Sequence, residues 1–408
     1  MQSIEKKNIF WNIAGTSVNA FVSLFLLIVV TRVNGEDIAG IFSFAFSAAL
    51  IFNVIGVYYG RVYQVSDNKG NSDYDYLVSK VIVCIIMMIV SFGFVLLNKY
   101  NVYKLIIIMM LCLLKCIEAF SETLYAIIQK NGYLYKVGFS FFIKGFLCIA
   151  LFILVDFLTK SLILSIMSLI VIHLLFIIFY DIKNVKGLKI NKSINYNNVK
   201  YLLKDGFYPF AITFLSLYIF NSSKYAIDLN LDNVSQTIFG IIIMPATVIL
   251  MFVQYMLHPY LNDITDFYNS KKHKELREIV NKFLIVITVL TIAGVLISLT
   301  IAMPIFKIMY GLDLLDYKLH LVIIMLGAGF YGVVSLLMNI FIVMRKNKFQ
   351  TILLFIFSII AFILSYLLTK KYMLLGSSIS YTVLMIALCM IYLIAFNICL
   401  KEYDYEKN

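Results

Sequence analysis

Long apolar runs separated by short polar connectors make up nearly the whole chain. Crossing a hydrocarbon core of about 30 Å takes about 20 residues in a helix. Twelve segments reach that length: 9–31, 37–60, 77–97, 103–128, 134–155, 161–180, 206–228, 236–258, 281–302, 319–342, 350–369 and 374–398. Runs such as 81–90 (VIVCIIMMIV) do not alternate apolar and polar positions, so they read as helices and not as barrel strands. Within lipid a helix also satisfies its own backbone donors and acceptors. The pattern predicts an all-α polytopic membrane protein with about twelve transmembrane helices. The first run follows Lys6 and Lys7 and is too long for the apolar part of a cleavable leader, so it reads as a retained signal anchor.

Composition and charge narrow this further. Of 408 residues, 62% are apolar and only 14% charged, against about a quarter charged in soluble domains. A soluble enzyme, a disordered chain and a nucleic-acid module are excluded. The net charge of +12 is explained by where the cations fall. With the amino terminus in the cytoplasm, 23 Lys and Arg lie on the cytoplasmic side, among them Lys6, Lys7, Arg61, Lys69, Lys80, Lys136, Lys183, Lys189 and Lys407. Eight lie outside, including Arg32, Lys104 and Lys307, and Lys115, Lys144 and Lys224 fall within spans. This asymmetry predicts both termini in the cytoplasm and leaves no nucleic-acid partner to infer. The longest basic connection divides the chain into a six-helix bundle (1–180), a cytoplasmic linker (181–205) and a second six-helix bundle (206–408).

The two halves carry weak internal similarity. Thr31-Arg32-Val33 ends the first span and Ser223-Lys224-Tyr225 lies near the outer end of the seventh. Each is followed by a span opening on Gly40-Ile41-Phe42 or Phe239-Gly240. Parallel repeats of this kind place a substrate site at their interface and work by rocking one half against the other. Pro245 inside the eighth span predicts a kink; the first half uses Gly15, Gly40, Gly56 and Gly60 as breakers instead, and the stripe Gly327, Gly329 and Gly332 permits close helix approach. The six cysteines form no paired CxxC, and no metal site is expected.

Ionisable groups at membrane depth are costly and tend to line cavities. In the fourth span Lys115, Glu118 and Glu122 share one stripe at i,i+3 and i,i+4 spacing. Lys144 stands near the middle of the fifth span and His173 in the sixth; Asn221, Lys224 and Asp228 share a face of the seventh. Two compatible readings stand: mutual neutralisation, with Lys115 on Glu118 and Glu122 on Lys144, or the polar wall of a central cavity. Cations in such a cavity replace the hydration of an anion such as a diphosphate through charge-assisted bonds. No zinc-protease, serine-hydrolase or phosphate-loop signature occurs. Asp313 and Asp316 lie in a short outer loop and read as a solvated turn.

At this point the chain resembles a family. Asn12-Ile13-Ala14-Gly15, Thr31-Arg32-Val33-Asn34-Gly35, Ala39-Gly40-Ile41-Phe42-Ser43, Gly56 to Arg61 (GVYYGR) and Val62 to Asp67 (VYQVSD) look like the start of the O-antigen and capsule repeat-unit flippases. These are the Wzx-type polysaccharide transporters of the multidrug/oligosaccharidyl-lipid/polysaccharide exporter superfamily. The resemblance implies a MATE-like fold and a non-enzymatic transporter of the bacterial cytoplasmic membrane. Such a protein moves undecaprenyl-diphosphate-linked oligosaccharide to the outer leaflet by alternating access, for use in lipopolysaccharide or capsule synthesis. It implies roles for Arg32, Arg61, Lys115, Lys144 and Lys224 toward the diphosphate, and for Glu118, Glu122 and Asp228 in tuning the cavity or coupling to an ion, H+ or Na+. No cofactor is expected; a polysaccharide polymerase and a chain-length regulator are implied partners. Rival readings are a flippase for teichoic acid or another lipid-linked polymer, a drug/cation antiporter of the same superfamily, and an O-antigen polymerase or ligase.

Overall fold

The computed structural model describes residues 2–67, 70–188 and 190–405. Lys69, Lys189 and Lys407 of the charge count lie outside the described residues. The chain order is α1 (Gln2–Asn34), α2 (Glu36–Val57), α3 (Gly60–Val65), α4 (Asp73–Leu97), α5 (Val102–Lys130), α6 (Leu134–Thr159) and α7 (Leu162–Phe176). A π-turn (Ile177–Asp181) leads into α8 (Ile182–Lys186) and α9 (Tyr196–Asp205). Then follow α10 (Phe207–Asn230), α11 (Asn233–Leu257), α12 (Leu261–Asn269), α13 (His273–Thr300), α14 (Ala302–Tyr310), α15 (Lys318–Val343) and α16 (Asn347–Tyr405). About 90% of the structure is helix and the described residues contain no strand.

Each of the twelve expected segments falls on helix. Among the described residues nine helical stretches are long and apolar enough to cross a membrane. One of the nine, within α16, breaks at Met373 (φ 54°) into the two arms the sequence predicts. The helices α5 and α10 are not among the nine; they are the ones that carry Lys115, Glu118 and Glu122, and Asn221, Lys224 and Asp228. Pro245 lies inside α11, and Asp232 accepts from the Ser235 N–H at that helix's start. These hydrogen bonds to Ser235 hold Asp232 below the usual carboxylate range. The chain divides into two compact units, Met1–Phe214 and Leu215–Asn408.

In the first unit α1 lies along α6 with their backbones nearly touching. A methyl added to Gly138 would sit 2.3 Å from the Trp11 carbonyl, and one added to Gly15 2.1 Å from the Gly138 oxygen. Trp11 fills the space beside this crossing, its ring 5.0 Å from Phe139 and 5.7 Å from Phe142. Helix α2 is buried along most of its length, against α4 and α5. Its end is held by a lysine. Lys80, only 1% exposed, donates to the Gly56 and Val57 carbonyls at 3.0 and 2.7 Å. An ammonium satisfies unpaired carbonyls and the negative end of the helix dipole together. The charge count treated Lys80 as a topological cation; its position is structural. Lys104 is likewise buried, over the Phe44 and Tyr100 rings.

Much of the segment read from sequence as a linker is packed against this unit. Asp181 ends the π-turn that continues α7. The Asn195 N–H and the Asn198 amide donate to Asp75, and the Asn191 N–H to Asp73, at the start of α4. Tyr58 donates to the Leu203 carbonyl at 2.8 Å, and Tyr63 to Asp205. Helix α9 is thereby laid along the end of the first unit.

In the second unit α15 packs on α11, α13 and α16. The glycine stripe serves this packing, with Gly327 against Tyr381 and Gly329 against Thr291. Hydroxyls join α10 to α16: Ser222 meets Ser365 at 3.1 Å and Ser223 donates to the Ser377 carbonyl at 2.9 Å. Asp313 is exposed, as a solvated turn requires. A hydrogen bond from Lys307, with the Leu315 N–H, holds its carboxyl below the usual range.

Two substitutions test these contacts. Gly138→Val forces α1 off α6 and should cost about 1–3 kcal/mol. Lys80→Met leaves two carbonyls unsatisfied and should cost about 1.5–3 kcal/mol. Thermal unfolding of the detergent-solubilised chain, followed by circular dichroism, checks both.

Candidate functional site

The charged groups of α5, α6 and α7 converge inside the first unit. Two cavities of about 240 and 190 Å³ share Asn19, Glu118, Lys144 and His173 as common walls. Helix α5 supplies the polar stripe because its four-residue spacing repeats the side-chain direction about once per turn. Lys115 and Glu118 form the ion pair that the spacing predicts, at 2.7 Å. The Glu118 side chain remains 32% exposed, open to the cavity it lines.

Glu122 does not pair with Lys144. Its partner is Arg61, whose Nε lies 3.6 Å from the carboxylate. The α3 helix, just beyond the end of α2, brings Arg61 to α5, a proximity that no sequence spacing encodes. The guanidinium stands 5.7 Å over the Phe141 ring, and its buried Nη1 makes no hydrogen bond within the structure. The Asn53 Oδ1, on the cavity wall, is also buried without a partner.

Lys144, 4% exposed, is held by a network that sequence reasoning missed. Its ammonium donates to the Tyr125 hydroxyl at 2.6 Å. Tyr125 donates to Asp181 at 3.2 Å, and Ser140 donates to the other Asp181 oxygen at 3.0 Å. Asp181 is fully buried. It sits eight residues beyond His173, two turns along the same helical run, and that spacing was the available signal. Tyr125 and Ser140 carried none, since both read as ordinary span residues.

His173 completes the cluster. Its Nδ1 lies 2.8 Å from the Leu169 carbonyl, which only accepts, so Nδ1 carries hydrogen. Its Nε2 then faces Glu118 Oε1 at 3.4 Å. A bare nitrogen lone pair opposite a carboxylate is repulsive, so the contact closes only with a proton on one of the two groups. Lys115, Lys144, Glu122, the Tyr125 hydroxyl and the Cys148 thiol are the other titratable groups lining the two cavities around this pair. Among the described residues the site therefore contains three cations, three carboxylates and a proton-binding imidazole.

The remaining expected site residues lie elsewhere. Arg32 is exposed in the last turn of α1. Lys224 and Asp228 lie in the second unit's part of α10, with Lys224 about one turn deeper from its helix end than Arg32. The two cations suggested by the internal similarity thus do not stand at equivalent helical positions.

If Lys144 and Asp181 neutralise each other through Tyr125, their substitutions are coupled. Lys144→Met and Asp181→Asn should each cost about 3 kcal/mol by stranding the opposite charge, whereas the double variant should recover at least half of that sum. Thermal unfolding of the four proteins measures it; simple additivity would contradict the coupling.

Comparisons with known proteins agree with this architecture. No protein-family model matches the chain. The capsular polysaccharide biosynthesis protein CapF of Staphylococcus aureus is 21% identical over 390 residues, spanning 92% of this chain and 95% of that one. A multidrug resistance MATE family transporter of the MOP superfamily, in its inward-facing conformation, superposes with a TM-score of 0.74 at 11% identity, covering 97% of this chain and 99% of its own. The lipid II flippase MurJ, inward closed, gives a TM-score of 0.64 at 16% identity, over 95% of this chain and 87% of that one. The chain is thus a polytopic membrane protein with a MATE-type fold, and the resemblance to polysaccharide transporters is borne out.

Proposed function

We propose that the protein is a flippase for a lipid-linked oligosaccharide carrying a diphosphate, a capsule or O-antigen repeat unit on undecaprenyl diphosphate. The observation that carries this reading is the charged cavity of the first unit. Lys115 lines the space beside Lys144, and Arg61, paired with Glu122 of the cavity wall, keeps an unused buried donor behind that wall. An anionic head group entering the cavity competes with Glu118 and Glu122 for these cations. It exchanges one carboxylate partner for a phosphate and so avoids exposing a bare charge to lipid. The likeness to CapF, a capsular polysaccharide biosynthesis protein, supports a polysaccharide precursor as cargo, and capsule ahead of O-antigen. The likeness to MurJ supports a lipid-linked one.

The Glu118–His173 contact supports a proton as the coupling ion. When phosphate draws Lys115 from Glu118, the carboxylate's hold on its proton changes, which links cargo to proton occupancy by ordinary linkage. In this reading the protein lies in the bacterial cytoplasmic membrane with both termini inside. Alternating access carries the head group across while the isoprenoid tail stays in lipid. A polymerase and a chain-length regulator act on the product.

A strain lacking its own repeat-unit flippase provides the test, scored by surface polysaccharide at matched protein level. The wild-type chain should restore export. Lys115→Met and Arg61→Gln should each lower it by about tenfold, the loss of one charge-assisted contact. The carboxylates of the cavity favour a second reading, a cation antiporter. That reading replaces the first if the chain confers ethidium efflux that survives both cation substitutions but not Glu118→Gln, and restores no polysaccharide.

A further inference from the structure

A second polar groove lies at the end of the first unit that the lysine excess predicts to be cytoplasmic. It measures about 500 Å³ and is walled by Tyr133, Lys136, Phe179, Tyr180, Lys183 and Asn184. Its side chains include two lysines and no carboxylate. Neither lysine has a carboxylate partner among the described residues; Lys136 instead stands 4.8 Å over the Tyr133 ring. The groove therefore carries two uncompensated positive charges in one concavity, unlike the balanced cavity described above.

The π-turn Ile177–Asp181 accounts for this arrangement. It inserts an extra residue per turn at the point where Asp181 faces inward to Tyr125 and Ser140, while Phe179 and Tyr180 line the groove. Tyr180 donates to the Lys136 carbonyl at 3.3 Å, which ties the two walls together, and the Asn184 amide donates to the Tyr180 carbonyl one turn back in the same helical run at 2.9 Å. Phe179 is 69% exposed on the same wall. A ligand that fits must be anionic at one end and apolar at the other. The aromatic residues stand at a helix end, the level where rings and headgroups meet.

We propose that this groove binds the phosphate of an anionic membrane lipid, between Lys136 and Lys183, with the lipid's apolar part against Phe179. Basic pockets at helix ends recognise phosphate headgroups in this way. The site does not depend on the identity of the cargo.

The chain's single tryptophan provides a reporter. Trp11 stacks edge-on with Phe139, whose ring lies 5.7 Å from Tyr180. The full chain is reconstituted in phosphatidylcholine vesicles containing brominated phosphatidylglycerol or, separately, brominated phosphatidylcholine, and Trp11 quenching is titrated. The anionic brominated lipid should quench at about tenfold lower mole fraction than the zwitterionic one. Lys136→Gln/Lys183→Gln should reduce that preference to within about twofold, with emission in unbrominated lipid unchanged. Equal quenching by the two lipids in the wild type, or a preference that survives the double substitution, overturns the proposal. Excess inorganic phosphate separates the sources. Wild-type preference that persists in its presence supports a lipid ligand, and preference that disappears assigns the groove to free phosphate and overturns the lipid assignment.

Discussion

Placing a charge among apolar helices costs several kcal/mol unless a partner and hydrogen bonds accompany it, and the first unit is arranged around that constraint. Each of its deep cations has a local answer. Lys80 sits on the carbonyl end of α2, Lys115 on Glu118, Arg61 on Glu122, and Lys144 on Tyr125 and through it Asp181. Most of these partners come from a different helix, so charge pairing fixes which helices are neighbours and in what rotation. The π-turn follows from the same requirement, since it lets one short stretch direct Asp181 inward and Tyr180 outward.

The two polar features of the first unit differ in kind. The inner cavity is electrically balanced and partly open, and the Arg61 guanidinium behind its Glu122 wall leaves one nitrogen unused. Balance makes the site stable when empty, and exchangeable partners make it responsive to an anion. The groove at the helix ends is unbalanced, with two lysines and no carboxylate among its side chains.

Hydropathy made the helices legible, including α5 and α10, whose charges interrupt the apolar pattern without lowering their length. Spacing along one helix also gave the Lys115–Glu118 pair. What the sequence did not disclose were contacts between helices. The pairing of Arg61 with Glu122 depends on α3, six residues long, and the role of Asp181 depends on a π-turn that shifts helical register. The segment after residue 181 reads as a basic linker by composition. Its anchoring rests on backbone N–H groups meeting Asp73 and Asp75 and on two tyrosine hydroxyls, interactions that leave little trace in hydropathy.

The most direct measurement is translocation itself. Purified protein in vesicles is given a fluorescent undecaprenyl-diphosphate oligosaccharide, and the fraction reachable by an external quencher is followed over time, with and without an imposed pH gradient. The account predicts transfer between leaflets that accelerates with the gradient and falls to the protein-free rate when Lys115 and Arg61 are both neutralised. Transfer at the wild-type rate without those cations, or no transfer of the diphosphate lipid at all, contradicts it.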